Sequence, residues 1–373
     1  MGRWKLGLGE KAVHMAIANW DGECRWETEE MVVFPPPLVC GDLIAVTSPS
    51  SGVTDAARSR LAFAVESLRA RGYEVMLGNV SDTGSIASGR AEQRASELTA
   101  MMTDPNVRAV IPPWGGNIAI DLLHRLDFEA LASDPTWFVG FSDISTLMLP
   151  LTLRTGLATL HGQNLMDTPY RVPEPLLSWL DVVSSPAGSS ITQGAAQAHR
   201  SEGCDDWQEN PLVTEYTLDT PGGWTRVDAE DDVKVTGRLI GGCLETVAHL
   251  AGTPYGNIDA FARTHAPEGL IIYLESAGSD VADITRRLFG LRYAGWFDSA
   301  TAVLIGRSRG KELPDYTNRD AARHALGDLG IPIITDVDCG HVPPHLALVN
   351  GALADLTHTA TTSEITQNLV NAL

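Results

Sequence analysis

The chain has 373 residues, 44% of them hydrophobic, and a formal net charge of -20. That length accommodates two domains with cores of their own, and the hydrophobic fraction excludes an intrinsically disordered chain. The acidic balance lacks the basic stripe that offsets phosphates, which excludes a nucleic-acid polymer as partner, and no apolar run approaches a membrane span.

Residues 1–37 read as an extension. Its first thirty residues lack the apolar region of a signal peptide, so they are either a disordered tail or a start placed upstream of Met31. The five cysteines are Cys24, Cys40, Cys204, Cys243 and Cys339. Their number is odd and none forms a C-x-x-C pair, so free thiols in a reducing compartment are expected, with neither disulfide nor zinc spacing.

From residue 38 to 175 the pattern is strand, helix, strand. Residues 43–47 are a short apolar strand, and Thr54 stands where it would cap a helix running to about Arg71. Strands are expected at 72–76 and 107–111, with a helix over 90–102 between them. This alternation implies a parallel α/β sheet with right-handed crossovers. The third strand runs into Gly115, Gly116 and Asn117, followed by a helix over 118–126. A glycine pair at a strand end can present bare N–H groups at the sheet's carboxyl edge, or it can be a plain turn.

The next strand, 137–139, ends at Gly140 and leads through Phe141, Ser142 and Asp143 into a helical run over 144–153. A buried strand turning sharply into a helix leaves one side chain standing at the turn, here Ser142. That is the mechanics of a nucleophile elbow, although Ile144 occupies the place of a second glycine; the alternative is a serine capping an ordinary helix. His161 follows soon after; it could serve as a base, but it lies close in sequence to the turn and reads as a core or loop-bracing histidine. No G-x-G-x-x-G follows the first strand, which argues against a dinucleotide cofactor.

Residues 176–232 read as a connector with a long hairpin or loop. Trp207 and Trp224 lie in this polar stretch and are candidates for contact with a ligand. From 233 to 373 a second domain is expected. It has strands at 237–241, 269–274, 300–305 and 331–335, helices over 245–250, 281–291 and 318–329, and a last strand at 346–350.

Acyl transfer needs a nucleophile, a base and a carboxylate to orient that base. Ser142 supplies the first. Glu275 stands at the carboxyl end of an apolar strand, where an acid has no packing reason to be, and Glu245 is its rival. His341 follows Gly340 in a loop, in competition with His345, His324 and His265. A non-catalytic protein holding a nucleotide or peptide on the same frame is the reading from another class.

The chain resembles the LD-carboxypeptidase family of serine peptidases, including its microcin C immunity branch, over residues 38–356. The resemblance rests on the 41–50 strand and turn, Gly115-Gly116, the 140–144 turn, Leu160-His161-Gly162, Gly241-Gly242, the 252–255 turn, the 273–275 strand end, and Asp338-Cys339-Gly340-His341. It implies Ser142 as nucleophile, Glu275 as acid and His341 as base, with the N–H groups of Gly116 and Asp143 as the oxyanion hole. It implies a Rossmann-like amino-terminal domain, a smaller β-rich carboxyl-terminal domain and an active site in the cleft between them. A cytoplasmic homodimer needing neither cofactor nor metal is also implied. Cys243 replaces a usual Asn, Trp114 a common Arg and Asn117 a common Tyr. With Trp207 and Trp224 in the connector, these departures favour cleavage of an amide joining a peptide or acidic amino acid to a nucleotide-like group. Gly115, Asn117, Trp207 and Trp224 are the expected substrate contacts. Hydrolysis of the L,D bond of a muropeptide is the alternative.

Overall fold

A computed structural model describes residues 31–370 apart from 204, 206, 208 and 228–230. The expected extension over residues 1–30 and the thiols of Cys24 and Cys204 lie outside the described residues. The remaining three cysteines, Cys40, Cys243 and Cys339, are unpaired.

In the first half, strands β1 (Leu43–Val46), β2 (Glu74–Leu77), β3 (Val107–Ile111), β4 (Trp137–Gly140) and β5 (Thr159–His161) alternate with helices α1 (Arg58–Ala70), α2 (Ala91–Met102) and α3 (Ser145–Thr155). The second half contributes β6 (Ser190–Gly194), β7 (Thr225–Arg226), β8 (Val233–Cys243), β9 (Leu270–Glu275), β10 (Ala300–Gly306), β11 (Ile333–Val337), β12 (Leu348–Asn350), β13 (Leu353–His358) and β14 (Ser363–Asn368). Helices α4 (Val281–Tyr293) and α5 (Asn318–Leu326) lie among them.

The first sheet has the order β12-β5-β4-β3-β1-β2 and the second β6-β14-β13-β8-β9-β10-β11-β7. Strands β1 to β5 pair in parallel, as do β8 to β11. Parallel strands covered on both faces need near-continuous apolar sequence. β4 and β9 obey this rule, since every residue of each is buried. The chain is thus a mixed α/β protein with a run of parallel strands in each sheet, flanked by antiparallel ones.

Several elements differ from the sequence expectation. Thr54 makes no side-chain cap; a single 3-10 turn, Asp55–Ala57, precedes α1. Residues 119–125 form a 3-10 segment in place of an α-helix. The 176–232 stretch supplies β6 and β7 to the two edges of the second sheet, so it is more than a loop. The expected last strand, β12, joins the first sheet antiparallel to β5. The chain then returns through β13 and β14, which the expectation lacked. β12, which begins seven residues after His341, therefore ties that stretch of the chain to the first sheet.

Candidate active site

Ser142 stands where β4 gives way to α3. A single 3-10 turn, Ser142–Ile144, separates strand from helix, and Ser142 has φ 65°. A left-handed conformation in a non-glycine residue costs about 1–3 kcal/mol and persists only where its surroundings impose it. Those surroundings are specific. The Asp143 carboxylate accepts hydrogen bonds from the Ser50 hydroxyl at 2.5 Å and the Ala119 N–H at 2.8 Å. The Phe141 N–H donates to Asn164 Oδ1 at 3.3 Å. The loops after β1, β3 and β5 are thereby pinned to the turn.

Gly115 packs directly on this turn. A Cβ added there would lie 2.7 Å from Ser142 Cβ and 2.8 Å from its Oγ. Gly116 has φ 150°, and a Cβ there would lie 2.2 Å from Ser50 Oγ. A displacement of the reacting atom by about 1 Å costs roughly 100-fold in rate. Gly115→Ala is accordingly expected to lower kcat by about 100-fold while leaving the far-ultraviolet circular dichroism unchanged.

Three side chains distant in sequence meet at this turn. His341 Nε2 lies 3.0 Å from Ser142 Oγ, and His341 Nδ1 lies 2.8 Å from Glu275 Oε2. The Glu275 side chain is fully buried and that of His341 is 22% exposed. A buried carboxylate is tolerable only when paired. Burial pushes the Glu275 carboxyl up, but the charge of His341, its hydrogen bond and the nearby His161 outweigh this and hold it well below the usual carboxylate range. Burial disfavours the charged His341 ring, but the adjoining Glu275 carboxylate raises its pKa above the ordinary 6.5.

The rivals stand elsewhere. Glu245 accepts bonds from the Ser276 hydroxyl at 2.6 Å and the Ser279 N–H at 3.1 Å. His324 bonds Tyr316, and His265 packs against Phe261. His345 is buried beside Phe141 and Tyr216; burial and the neighbouring His341 push its pKa down to about 3. His161 is a core histidine, with Nε2 3.7 Å from Glu275 Oε1, too far for a hydrogen bond. Among the described residues, donor atoms of Cys243, Glu275 and His341 lie within 4.8 Å of one another, the arrangement able to hold a metal ion.

Ser142 and His341 open into a depression of about 440 Å³ that is also lined by Gly115, Gly116, Asn117 and Trp207. A second chamber of about 440 Å³ shares Trp207 and Asp167 with it and adds Tyr170 and Tyr216. The Trp207 N–H donates to the Tyr170 hydroxyl at 2.8 Å, and Tyr170 stacks on Tyr216 with ring centroids 4.2 Å apart. Trp224 corrects the expectation. Its ring is buried in the core of the second sheet and its N–H donates to Asp338 at 2.9 Å, so it is not a ring over the depression. Asp338 also pairs with Arg307 and accepts the Ala196 N–H at 2.9 Å. Trp224 thus braces the loop that carries His341.

Asp167, Arg200 and Tyr170 were missed from sequence. Asp167 lines both chambers, and burial pushes its carboxyl up to about 6 against the pull of Arg60, His341 and Arg200. The available signal was position, since the polar residues Gln163, Asn164 and Asp167 follow directly on the carboxyl end of β5.

A parallel α/β chain that lines up a hydroxyl, an imidazole and a carboxylate in this way has the architecture of a serine hydrolase. Residues 44–162 match the family description "LD-carboxypeptidase N-terminal domain" and residues 236–356 match "LD-carboxypeptidase C-terminal domain". The chain belongs to the LD-carboxypeptidase family and is a serine-type peptidase. It is 30% identical to a protein of Vibrio cholerae named as a carboxypeptidase, over 84% of this chain and 92% of that one. It is 25% identical to the microcin C7 self-immunity protein MccF of Escherichia coli, over 84% and 90% of the two chains. A solved structure of MccF in complex with aspartyl sulfamoyl adenosine superposes with a TM-score of 0.76 at 23% identity, covering 90% of this chain and 98% of the other. That likeness carries the two-domain fold. Among the described residues no helix is long and apolar enough to cross a membrane.

Proposed function

We propose that the protein hydrolyses an amide through a Ser142, His341 and Glu275 triad. The observation that carries this reading is the hydrogen-bonded line from Oγ through the imidazole to the buried carboxylate, at 3.0 and 2.8 Å. Ser142 attacks the carbonyl and His341 Nε2 takes the hydroxyl proton. Glu275 holds the ring and stabilises the imidazolium, and the N–H groups of Asp143 and Gly116 receive the developing oxyanion. His341 then passes its proton to the leaving amine, and water, deprotonated by the same ring, releases the acyl group. The site lies between the two domains, and the enzyme acts as a cytoplasmic homodimer; these two features rest on the family resemblance.

The substrate in this reading is an acidic amino acid or peptide joined through an amide-like bond to a nucleotide-like group. The likeness to a microcin self-immunity protein supports it, as does Trp207 at the border of the two chambers. A muropeptide L,D amide is the second reading, favoured by the family description itself. Turnover of aspartyl sulfamoyl adenosine beside a muropeptide tetrapeptide, with products identified by mass spectrometry, separates them. Hydrolysis of the tetrapeptide alone would overturn the first reading.

Stacking of a base on an aromatic side chain is worth about 1–3 kcal/mol. Trp207→Ala is therefore expected to raise KM for the nucleotide substrate by about 5- to 150-fold and to leave the turnover of any substrate lacking the base within about twofold. Equal losses on both would show that Trp207 only supports the fold.

A further inference from the structure

We propose that the protein carries an inhibitory site for a thiophilic divalent cation of the zinc class, built from Cys243 Sγ, Glu275 and His341 Nδ1. Strands β8 and β9 run parallel with Cys243 directly opposite Glu275, so thiol and carboxyl leave the same edge of the sheet side by side. The His341 loop closes over them. The three donor atoms lie within 4.8 Å of one another, with His341 Nδ1 2.8 Å from Glu275 Oε2. Cys243 donates its S–H to Glu245 Oε2 at 3.4 Å.

Donors at about 2.0–2.3 Å from a tetrahedral zinc stand roughly 3.3–3.7 Å from one another. The three donor atoms come within about an ångström of that spacing: the thiol has to draw in from at most 4.8 Å, and the imidazole and Glu275, 2.8 Å apart, have to part by about half an ångström. The set is one sulfur, one imidazole and one carboxylate, with a fourth position open to water, a mixture that suits zinc and cadmium better than magnesium or calcium. Cys243 and Glu275 are buried, and the partly exposed His341 lines the depression, so a cation enters along its ring.

The chemical consequence follows from the tautomer. A cation at Nδ1 takes that nitrogen's lone pair, so the ring proton moves to Nε2, 3.0 Å from Ser142 Oγ. The Cys243 thiol loses its proton to solvent on coordination. An imidazole already protonated at Nε2 cannot accept the proton of the serine hydroxyl. This loss of activity rests on the proposed role of His341 as base; the binding site does not.

The test uses the full chain. Cd²⁺ is titrated and followed by the ultraviolet thiolate-to-cadmium absorption, and hydrolysis is measured against Zn²⁺, each variant relative to its own metal-free rate. The wild type is expected to show the band and to be inhibited, with activity restored by a chelator. Cys243→Ser should lose that share of the band and become at least about tenfold less sensitive to Zn²⁺. His341→Ala, a second variant, should weaken cadmium binding in the same direction, whereas Cys40→Ser, at an exposed position, should change neither. A cadmium band and zinc sensitivity both unchanged in Cys243→Ser would overturn the proposal. A Cys243-dependent band with no inhibition would uphold the site and instead refute His341 as the base.

Discussion

Ser142→Ala is expected to reduce kcat by about 10⁴- to 10⁶-fold, since the members of a triad act as a unit and what remains comes from binding and the oxyanion donors. The substitution removes one oxygen from a turn whose shape is set by Ser50, Asp143, Ala119 and Asn164 rather than by the hydroxyl itself. The fold and the affinity for a non-hydrolysed ligand should therefore be preserved. Steady-state kinetics alongside isothermal titration with the variant separates the two effects. A variant that turns over normally would remove Ser142 from the mechanism, and one that loses binding in parallel with turnover would make it a structural residue.

Glu275→Gln is the second large effect, with an expected loss of about 10⁴-fold in kcat. A glutamine amide does not stabilise the imidazolium, and its NH₂ group can turn the ring to the wrong tautomer. The pH profile shows the same coupling. His341 must be neutral to act as base, so kcat/KM falls as the pH drops through its raised pKa, and the wild-type acid limb should lie above 6.5. In Glu275→Gln that limb should move downward, and an unmoved limb would show that another group titrates. The pair also links stability to pH. The raised pKa of His341 contributes stability that is fully present below 6.5 and is lost as pH rises through the raised value. The depressed pKa of Glu275 contributes stability that is present above 4.5 and is lost as pH falls through the lowered value. The thermal midpoint of the variant should therefore fall furthest below the wild type between 4.5 and 6.5, where both contributions are complete.

The parallel strands were legible chiefly through their central members, since β4 and β9 are buried at every residue and read as unbroken apolar runs. Val107–Ile111 falls where the sequence puts it, residue for residue. The Ser142 turn was legible for a related reason, being a strand and a helix with only a few residues between them. Glu275 and His341 were not separable from Glu245 and His345 by local pattern. What distinguishes them is pairing 66 residues apart in sequence, and the resemblance to a family supplied what spacing could not. Trp224 was misread because a tryptophan among polar residues looks wet until its long-range partner, Asp338, is in place. β13 and β14 were missed because they alternate buried and exposed residues at the chain end and mix charged with apolar positions, a weaker signal than a buried parallel strand. Asp167 carries no local motif at all, and its place beside both chambers depends on how the segment after β5 folds back against Pro112 and Pro113.

The central claim is that the Ser142 hydroxyl and the His341 imidazole work as one device. A double-mutant cycle on kcat/KM with Ser142→Ala, His341→Ala and the pair together tests it directly. If the ring serves only to activate that hydroxyl, the double variant should be no slower than Ser142→Ala alone. Losses that multiply, with the double variant slower by the product of the two single effects, would mean that the two groups contribute independently and would contradict the mechanism.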